Sequence, residues 1–128
     1  MVVITESLPY EDVVAQLKKG EKLAIITCNT CVRSYGTGGV EVMDALAKKL
    51  EKDGFAVTDR VVLATACFED YIKTSPIGDE WSTGIILACD SGYGVVRQHL
   101  KGKRIIRGLK TIGIQQGRTP APLVSLED

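Results

Sequence analysis

A series of short, almost entirely apolar runs, separated by amphipathic stretches, constrains the fold most. Residues 22–27 (KLAIIT) and 84–88 (GIILA) are two such runs, and residues 55–64 (FAVTDRVVLA) form a third extended segment that we expect to break near Asp59. Continuous apolar runs of this length are typical of strands that are buried on both faces of a sheet. The sequence therefore favours parallel strands.

Helical periodicity fills the segments between these runs. Residues 39–53 form the strongest helix, which Gly54 ends. The apolar stripe of this helix consists of Val40, Met43, Leu46, Ala47 and Leu50. The remaining predicted elements are short helices at 11–19 and 95–100 and strands at 103–107 and 111–115. The segment 70–83 is mixed, and the tail from residue 116 is predicted to be irregular.

Alternation of buried-type strands with helices predicts an α/β fold. We expect three layers, in which a mainly parallel sheet of about 4–5 strands is flanked by helices, as in Rossmann-like or flavodoxin-like domains. At 128 residues, the chain is predicted to form a single domain, residues 1–128, with a substantial core.

Charge and hydropathy argue against two classes of partner. The 16 basic and 16 acidic residues cancel, so we expect no nucleic-acid partner. The longest apolar runs fall far short of the roughly 20 residues of a membrane span, so we expect no membrane partner. The first residues carry acids and no basic segment typical of a signal peptide, which favours a cytoplasmic protein. In that reducing compartment, cysteines indicate metal ligands or redox thiols rather than disulfides.

The four cysteines all follow apolar runs. Cys28 and Cys31 follow residues 22–27 as a Cys-x-x-Cys pair, Cys67 follows residues 55–64, and Cys89 follows residues 84–88. Since the carboxyl ends of parallel strands meet at one edge of a sheet, we expect the four thiols to gather there. Four thiolates suit one zinc ion or one [4Fe–4S] cluster. Arg33 is a nearby cation that would ease burial of the thiolates.

Two other interpretations of the cysteines remain open. The Cys28/Cys31 pair could be the dithiol of a small α/β thiol oxidoreductase, although "VRSYGTGG" intervenes before the strong helix. Alternatively, Cys67 and Cys89 could be buried small residues of an interaction module without chemical function.

Other candidate features are weaker. The loop "YGTGG" (35–39) precedes a helix and could bind phosphate, but a turn is the favoured interpretation. Residues 90–94 (DSGYG) are predicted to form a second such loop, and the two together suggest a surface for close approach by another molecule. We expect His99 to be a surface residue, Glu69 and Asp70 to be solvated or capping, and Trp81 to be a core residue.

The stretch "CNTCVRSYGTGGVEVMDALAKKL" resembles a known family. The resembling features are the Cys28/Cys31 pair, the Gly38–Gly39 pair before a helix that begins with an acidic residue, and Cys67 and Cys89 after apolar strands. Through these features, residues 23–90 resemble the C-terminal, cysteine-rich, zinc-binding domain of methylenetetrahydrofolate reductase in anaerobic bacteria and archaea. In acetogens that domain also occurs as a small subunit beside a catalytic flavoprotein.

The resemblance implies an accessory, non-catalytic subunit whose cysteines hold zinc or an iron–sulfur cluster beside a redox flavoprotein partner in one-carbon metabolism. Longer members of the family have more cysteines, whereas this chain has four. One ion or one cluster is therefore the most that its cysteines could hold.

Overall fold

The computed structural model describes residues 2–115. The strands, in chain order, are β1 (Val2–Ser7), β2 (Lys22–Cys28), β3 (Ala56–Leu63), β4 (Thr83–Leu87), β5 (Arg104–Arg107) and β6 (Leu109–Gln115). The helices are α1 (Tyr10–Val14), α2 (Cys31–Ser34), α3 (Val40–Lys52), α4 (Glu69–Thr74) and α5 (Asp90–His99). The predicted irregular tail from residue 116 lies outside the described residues.

Four strands form a parallel sheet in the order β3-β2-β4-β5. In its centre, Ile25 of β2 is in register with Arg60 of β3 on one side and with Ile85 of β4 on the other. Strand β3 lies on one side of β2, and β4 and β5 lie on the other, so the direction of winding reverses between β2 and β4. In doubly wound sheets such a reversal opens a crevice at the carboxyl ends of the strands.

Helices cover both faces of this sheet and complete three layers. Because parallel crossovers are right-handed, α3 covers one face, whereas α4 and α5, which pack on each other, cover the other. Helix α3 buries Met43, Ala47 and Leu50, and α5 buries Tyr93 and Val96. The predicted α/β architecture with a mainly parallel, helix-flanked sheet is confirmed.

A second, two-stranded antiparallel sheet pairs β1 with β6. It is joined to the main sheet through Gly108, whose N–H donates to the Ile86 carbonyl oxygen at 2.9 Å and whose carbonyl oxygen accepts from the Leu8 N–H at 3.0 Å. The sequence did not predict β1, because VVITES is only half-buried and has no long apolar run. The strand predicted at 111–115 exists, starts at Leu109, and belongs to this small sheet.

Three local predictions about helices were wrong. The helix predicted at 11–19 ends at Val14, and residues 90–94, predicted as a loop, are the first half of α5. Helix α5 begins early because the Asp90 N–H donates to the Thr111 hydroxyl of β6 at 3.0 Å, a partner distant in sequence. Val40, assigned to the buried stripe of α3, is 47% exposed because it lies in the first turn of the helix.

The break expected near Asp59 does not occur, because strand β3 is continuous from Ala56 to Leu63. The strand has only a register shift, which leaves Thr58 between the partners of Leu23 and Ala24. Trp81 is buried as predicted, and its indole N–H donates to the Gly78 carbonyl oxygen. Within residues 2–115, no helix has both the length and the apolar character that a membrane crossing requires.

Candidate metal centre at the carboxyl edge of the sheet

The four cysteines lie at the carboxyl ends of three adjacent strands, as predicted from the parallel sheet. Cys28 is the last residue of β2, and Cys31 is the first residue of α2. Cys67 follows β3, and Cys89 follows β4 and immediately precedes α5. Because β2 lies between β3 and β4, Cys28 is the central member of the group.

The thiols are close enough to influence one another electrostatically. Partial burial of its thiol raises the pKa of Cys67 above the usual 9.0, although Cys67 as a whole residue is exposed. The negative charges that Cys89, Cys28 and Cys31 carry as thiolates raise the pKa of Cys67 further. Thiolate charges held close together favour either protonation of a thiolate or binding of a cation by the group.

Exposure of the cysteines increases from the centre of the group outward. Cys28 is buried, with 8% of its surface exposed, whereas Cys31 and Cys89 are half-buried. Cys67 is exposed. The group therefore has a buried side at β2 and an open side at the loop that follows β3.

Hydrogen bonds fasten the loop after β3 to the Cys28 loop. The Ala66 N–H donates to Cys28 Sγ at 3.4 Å, and the Asn29 N–H donates to the Leu63 carbonyl oxygen at 2.9 Å. The Thr30 hydroxyl donates to the Ala64 carbonyl oxygen and lies 3.0 Å from the Thr65 hydroxyl. An N–H donor on sulfur stabilises a thiolate, as backbone donors do around metal-bound cysteines.

Sequence reasoning did not find the roles of Thr30, Thr65 and Thr111. Each hydroxyl of this set bonds to a residue that is at least 21 positions away, which sequence spacing alone does not reveal. A threonine just after a buried strand is a weak signal for such a bond, because threonine hydroxyls commonly satisfy the backbone of neighbouring loops.

Small residues bring the Cys67 and Cys89 loops together. A Cβ atom added at Gly92 would lie 2.8 Å from Ala66 Cβ, which is closer than such carbon atoms approach, and 3.0 Å from Ala88 Cβ, which is tighter than most such contacts. Ala66 and Ala88 are themselves buried. The backbone of α5 can therefore rest directly on the residues that precede Cys67 and Cys89.

The four cysteines fit a thiolate-bound metal in their chemistry, but their side chains are not in ligating positions. Among residues 2–115, no three His, Cys, Asp or Glu side chains are grouped as a metal ion requires. A change of χ1 rotamer moves a cysteine sulfur by about 3 Å, so rearrangement of side chains alone changes these separations substantially. The residues that would hold the group are Cys28, Cys31, Cys67 and Cys89.

The glycine loop at residues 35–39 carries the chain from α2 into α3 and borders a polar cavity of about 540 Å³. The Gly39 N–H donates to the buried Thr27 hydroxyl at 2.8 Å, so this N–H is not available to a phosphate. Arg33 and Asn29 also line the cavity. The favoured interpretation of 35–39 as a turn agrees with this geometry, but the paired glycine loops do not exist, because residues 90–94 are helical.

The other candidates occupy the places expected of them. His99 Nε2 lies 3.2 Å from Glu69 Oε2 on the surface, and Lys73 Nζ donates to Glu69 Oε1 at 3.1 Å. These bonds, first that from Lys73 and then that from His99, lower the pKa of Glu69. Glu69 and Asp70 form the exposed first turn of α4.

Comparison of the chain with protein-family models, with curated proteins and with solved structures found no match.

Proposed function

We propose that this chain is a metal-binding accessory subunit of a redox complex, holding one [4Fe–4S] cluster or one zinc ion through Cys28, Cys31, Cys67 and Cys89. The observation that carries the proposal is the gathering of all four cysteines of the chain at one edge of a parallel sheet, on three adjacent strands. The hydrogen bond from the Ala66 N–H to Cys28 Sγ also supports it.

The number and type of ligands limit what such a centre could do. Four thiolates around zinc leave no open position, so a closed zinc site is structural. Four thiolates around a [4Fe–4S] cluster support one-electron relay. Ligands distributed over three loops favour the cluster slightly, because structural zinc sites are commonly built from paired Cys-x-x-Cys turns.

The proposed partner is a redox flavoprotein that carries the catalytic step, in a cytoplasmic complex linked to methylenetetrahydrofolate reductase and one-carbon metabolism. This part of the proposal is supported by the resemblance of residues 23–90 alone. In this arrangement the cysteines act as ligands rather than nucleophiles, and the subunit itself is not catalytic.

Metal analysis and a visible absorption spectrum of anaerobically purified protein test the proposal. A brown protein with about four irons and matching sulfide per chain would support electron relay. A colourless protein with one zinc per chain would support a structural centre. Metal-free protein with reactive thiols would contradict the proposal.

A small thiol oxidoreductase that uses the Cys28/Cys31 dithiol is the second candidate. One observation favours it: a helix, α2, begins at Cys31, within the segment that separates the pair from the strong helix. Since α2 has only 4 residues, its dipole is small. The Cys89→Ser variant discriminates, because a metal centre would lose its metal, whereas a dithiol enzyme would keep its thiol–disulfide exchange activity.

A further inference from the structure

Away from the cysteines, the fold contains a mainly apolar pocket of about 230 Å³ where the two sheets meet. The pocket lies between one side of α3 and the segment that leads from β1 into α1. Its floor includes two buried side chains, Leu87 at the end of β4 and Leu109 at the start of β6. Among the described residues no cysteine lines this pocket, so it is independent of the proposed metal centre.

The apolar stripe of α3 is wider than the surface that the sheet covers. Its buried residues are Met43, Ala47 and Leu50. Val42 and Leu46, on the adjacent side of the helix, pack against the core but are only partly buried, and both line the pocket. Leu8 and Tyr10 are partly buried in the same way and line it from the other side. An apolar molecule in the pocket would remove this remaining apolar surface from water.

The polar side chains of the pocket differ in whether they already have a partner. The Tyr10 hydroxyl donates to Asp53 Oδ2 at 2.6 Å, and the Thr37 hydroxyl lies 2.5 Å from the Thr5 hydroxyl. Lys49 is exposed at the rim, with its Nζ 4.3 Å from the centre of the Tyr10 ring. Within the described part of the chain, none of the ion pairs includes Lys49. The pocket therefore combines an apolar interior with a positive charge at its rim.

We propose that this pocket binds a small monocarboxylate with an apolar body, whose carboxylate group pairs with Lys49 at the rim. An apolar cavity of about 150 Å³ holds a benzene molecule, so a pocket of about 230 Å³ fits an apolar body of roughly eight carbon atoms. Lys49 selects an anionic head, because its ammonium group then gains a charged hydrogen-bond partner. The Asp53 carboxylate, held nearby by Tyr10, disfavours a ligand with a second negative charge.

Titration of the ¹⁵N-labelled full chain with sodium octanoate, followed by amide chemical shifts, is the first test. The amides of Leu46, Gly108 and Leu109 should shift and saturate, whereas those of the cysteine loops should not. The dissociation constant should lie between roughly 0.01 and 1 mM, the range that ligands of about ten non-hydrogen atoms reach. Shifts that do not saturate, or that spread evenly over the surface, would overturn the inference in favour of a protein side chain as the occupant.

Two matched lysine variants test the role of the charge. Lys49→Met keeps an apolar side chain of similar length and removes the ammonium group, and Lys48→Met changes the preceding lysine, which is also exposed but is not among the lining residues. Lys49→Met should weaken octanoate binding about fivefold, which corresponds to one exposed ion pair of about 1 kcal/mol. Lys48→Met should bind octanoate as the wild type does. Equal octanoate affinities of the two variants would overturn the inference.

The neutral analogue 1-octanol separates the charge of the ligand from its apolar body. It should bind the wild type and Lys49→Met with the same affinity, because it has no carboxylate to pair with the ammonium group. A fivefold loss of octanol binding in Lys49→Met would contradict the assigned ion pair and indicate a change in the shape of the pocket. Circular dichroism of both lysine variants checks that they are folded.

Metal analysis of the same wild-type preparation keeps this inference apart from the proposed function. Saturable octanoate shifts at the pocket of a metal-free wild type would support the carboxylate site and contradict the proposed function. A wild type that holds metal but shows no such shifts would overturn the carboxylate site and leave the proposed function standing.

Discussion

Gly92 shows how one absent side chain lets two cysteine-bearing loops meet. Its α-carbon faces the methyl groups of Ala66 and Ala88, and a Cβ atom there would lie 2.8 Å and 3.0 Å from them. Neither methyl group is the end of a flexible side chain, so relief requires movement of the loop backbone. The glycine is therefore a requirement of packing rather than of a turn, although its sequence context suggested a loop.

We predict that Gly92→Ala destabilises the protein by about 1–3 kcal/mol, the usual cost of overpacking. Gly94→Ala is the matched control: nothing lies within 4 Å of its added Cβ in the same helix, so alanine should stabilise by roughly 0.5–1 kcal/mol. Urea unfolding followed by circular dichroism measures both. Equal free energies of unfolding for the two variants would show that the close approach at Gly92 has no energetic consequence.

Glu21 links the start of β2 to the start of β4. Desolvation alone raises the pKa of Glu21. This effect is outweighed by hydrogen bonds from the Thr83 hydroxyl, the Lys18 N–H and the Ser82 hydroxyl, together with the positive charge of Arg104. The pKa of Glu21 is therefore lowered below 4.5 in the folded protein. A carboxyl group of this kind stabilises the fold above its unfolded pKa, and the contribution is lost as pH falls through its folded pKa.

We therefore expect the wild type to lose more stability than Glu21→Gln when the pH falls from about 6 to about 3.5, across the usual range of glutamate pKa values. Glu11→Gln, which changes an exposed glutamate in the first turn of α1, is the control and should follow the wild type. Urea unfolding at the two pH values gives the difference. Parallel losses in wild type and Glu21→Gln would contradict the assigned role.

At the scale of elements, the sequence correctly predicted the strands whose residues are almost all buried. It failed for elements whose position depends on contacts with residues distant in sequence. Strand β4 is buried throughout, and in β2 only Lys22 is exposed, so their continuous apolar runs identify them. Helix α5 contains two glycines and starts on a hydrogen bond from Asp90 to Thr111 of β6, which no local pattern reveals. Strand β1 exists because β6 pairs with it, although its own sequence is a weak strand signal.

Helix α1 is a short element whose first residue, Tyr10, contacts the end of α3. The Tyr10 hydroxyl donates to Asp53 Oδ2 at 2.6 Å, and Lys49 Nζ lies 4.3 Å from the centre of the Tyr10 ring. Desolvation, followed by the hydrogen bond and the charge of Asp53, raises the pKa of Tyr10 to about 12. The end of α3 thereby holds the first turn of α1.

We predict that Tyr10→Phe lowers the free energy of unfolding by about 0.5–1.5 kcal/mol, the net worth of one hydrogen bond, and speeds amide exchange in α1. Asp53→Asn should lower the pKa of Tyr10 from about 12 toward its usual 10.0, since the carboxylate that opposes ionisation is removed. Tyrosinate absorption, with Tyr10→Phe as the blank, follows this titration. An unchanged titration in Asp53→Asn would contradict the assigned cause.

At the scale of the whole molecule, the rule that parallel strands share an edge was enough to place four cysteines together. It could not rank them by exposure, because that ranking depends on the path of the chain after β3. Ala66 is held under α5, and the chain then leaves the core at Cys67 and Phe68 to begin α4. Which side of the group faces solvent is a tertiary property that the sequence pattern does not contain.

A metal held by these cysteines would cross-link loops that follow β2, β3 and β4, so its binding should stabilise the whole fold. With free zinc at 100-fold its dissociation constant, linkage gives about 2.7 kcal/mol. For a chain of this length that corresponds to a rise in Tm on the order of 10 °C.

Calorimetry of metal-free and zinc-loaded protein under anaerobic conditions measures the shift. Cys28→Ala should show almost no zinc-dependent shift. Equal shifts in wild type and Cys28→Ala would mean that zinc stabilises the protein elsewhere than at the carboxyl edge of the sheet.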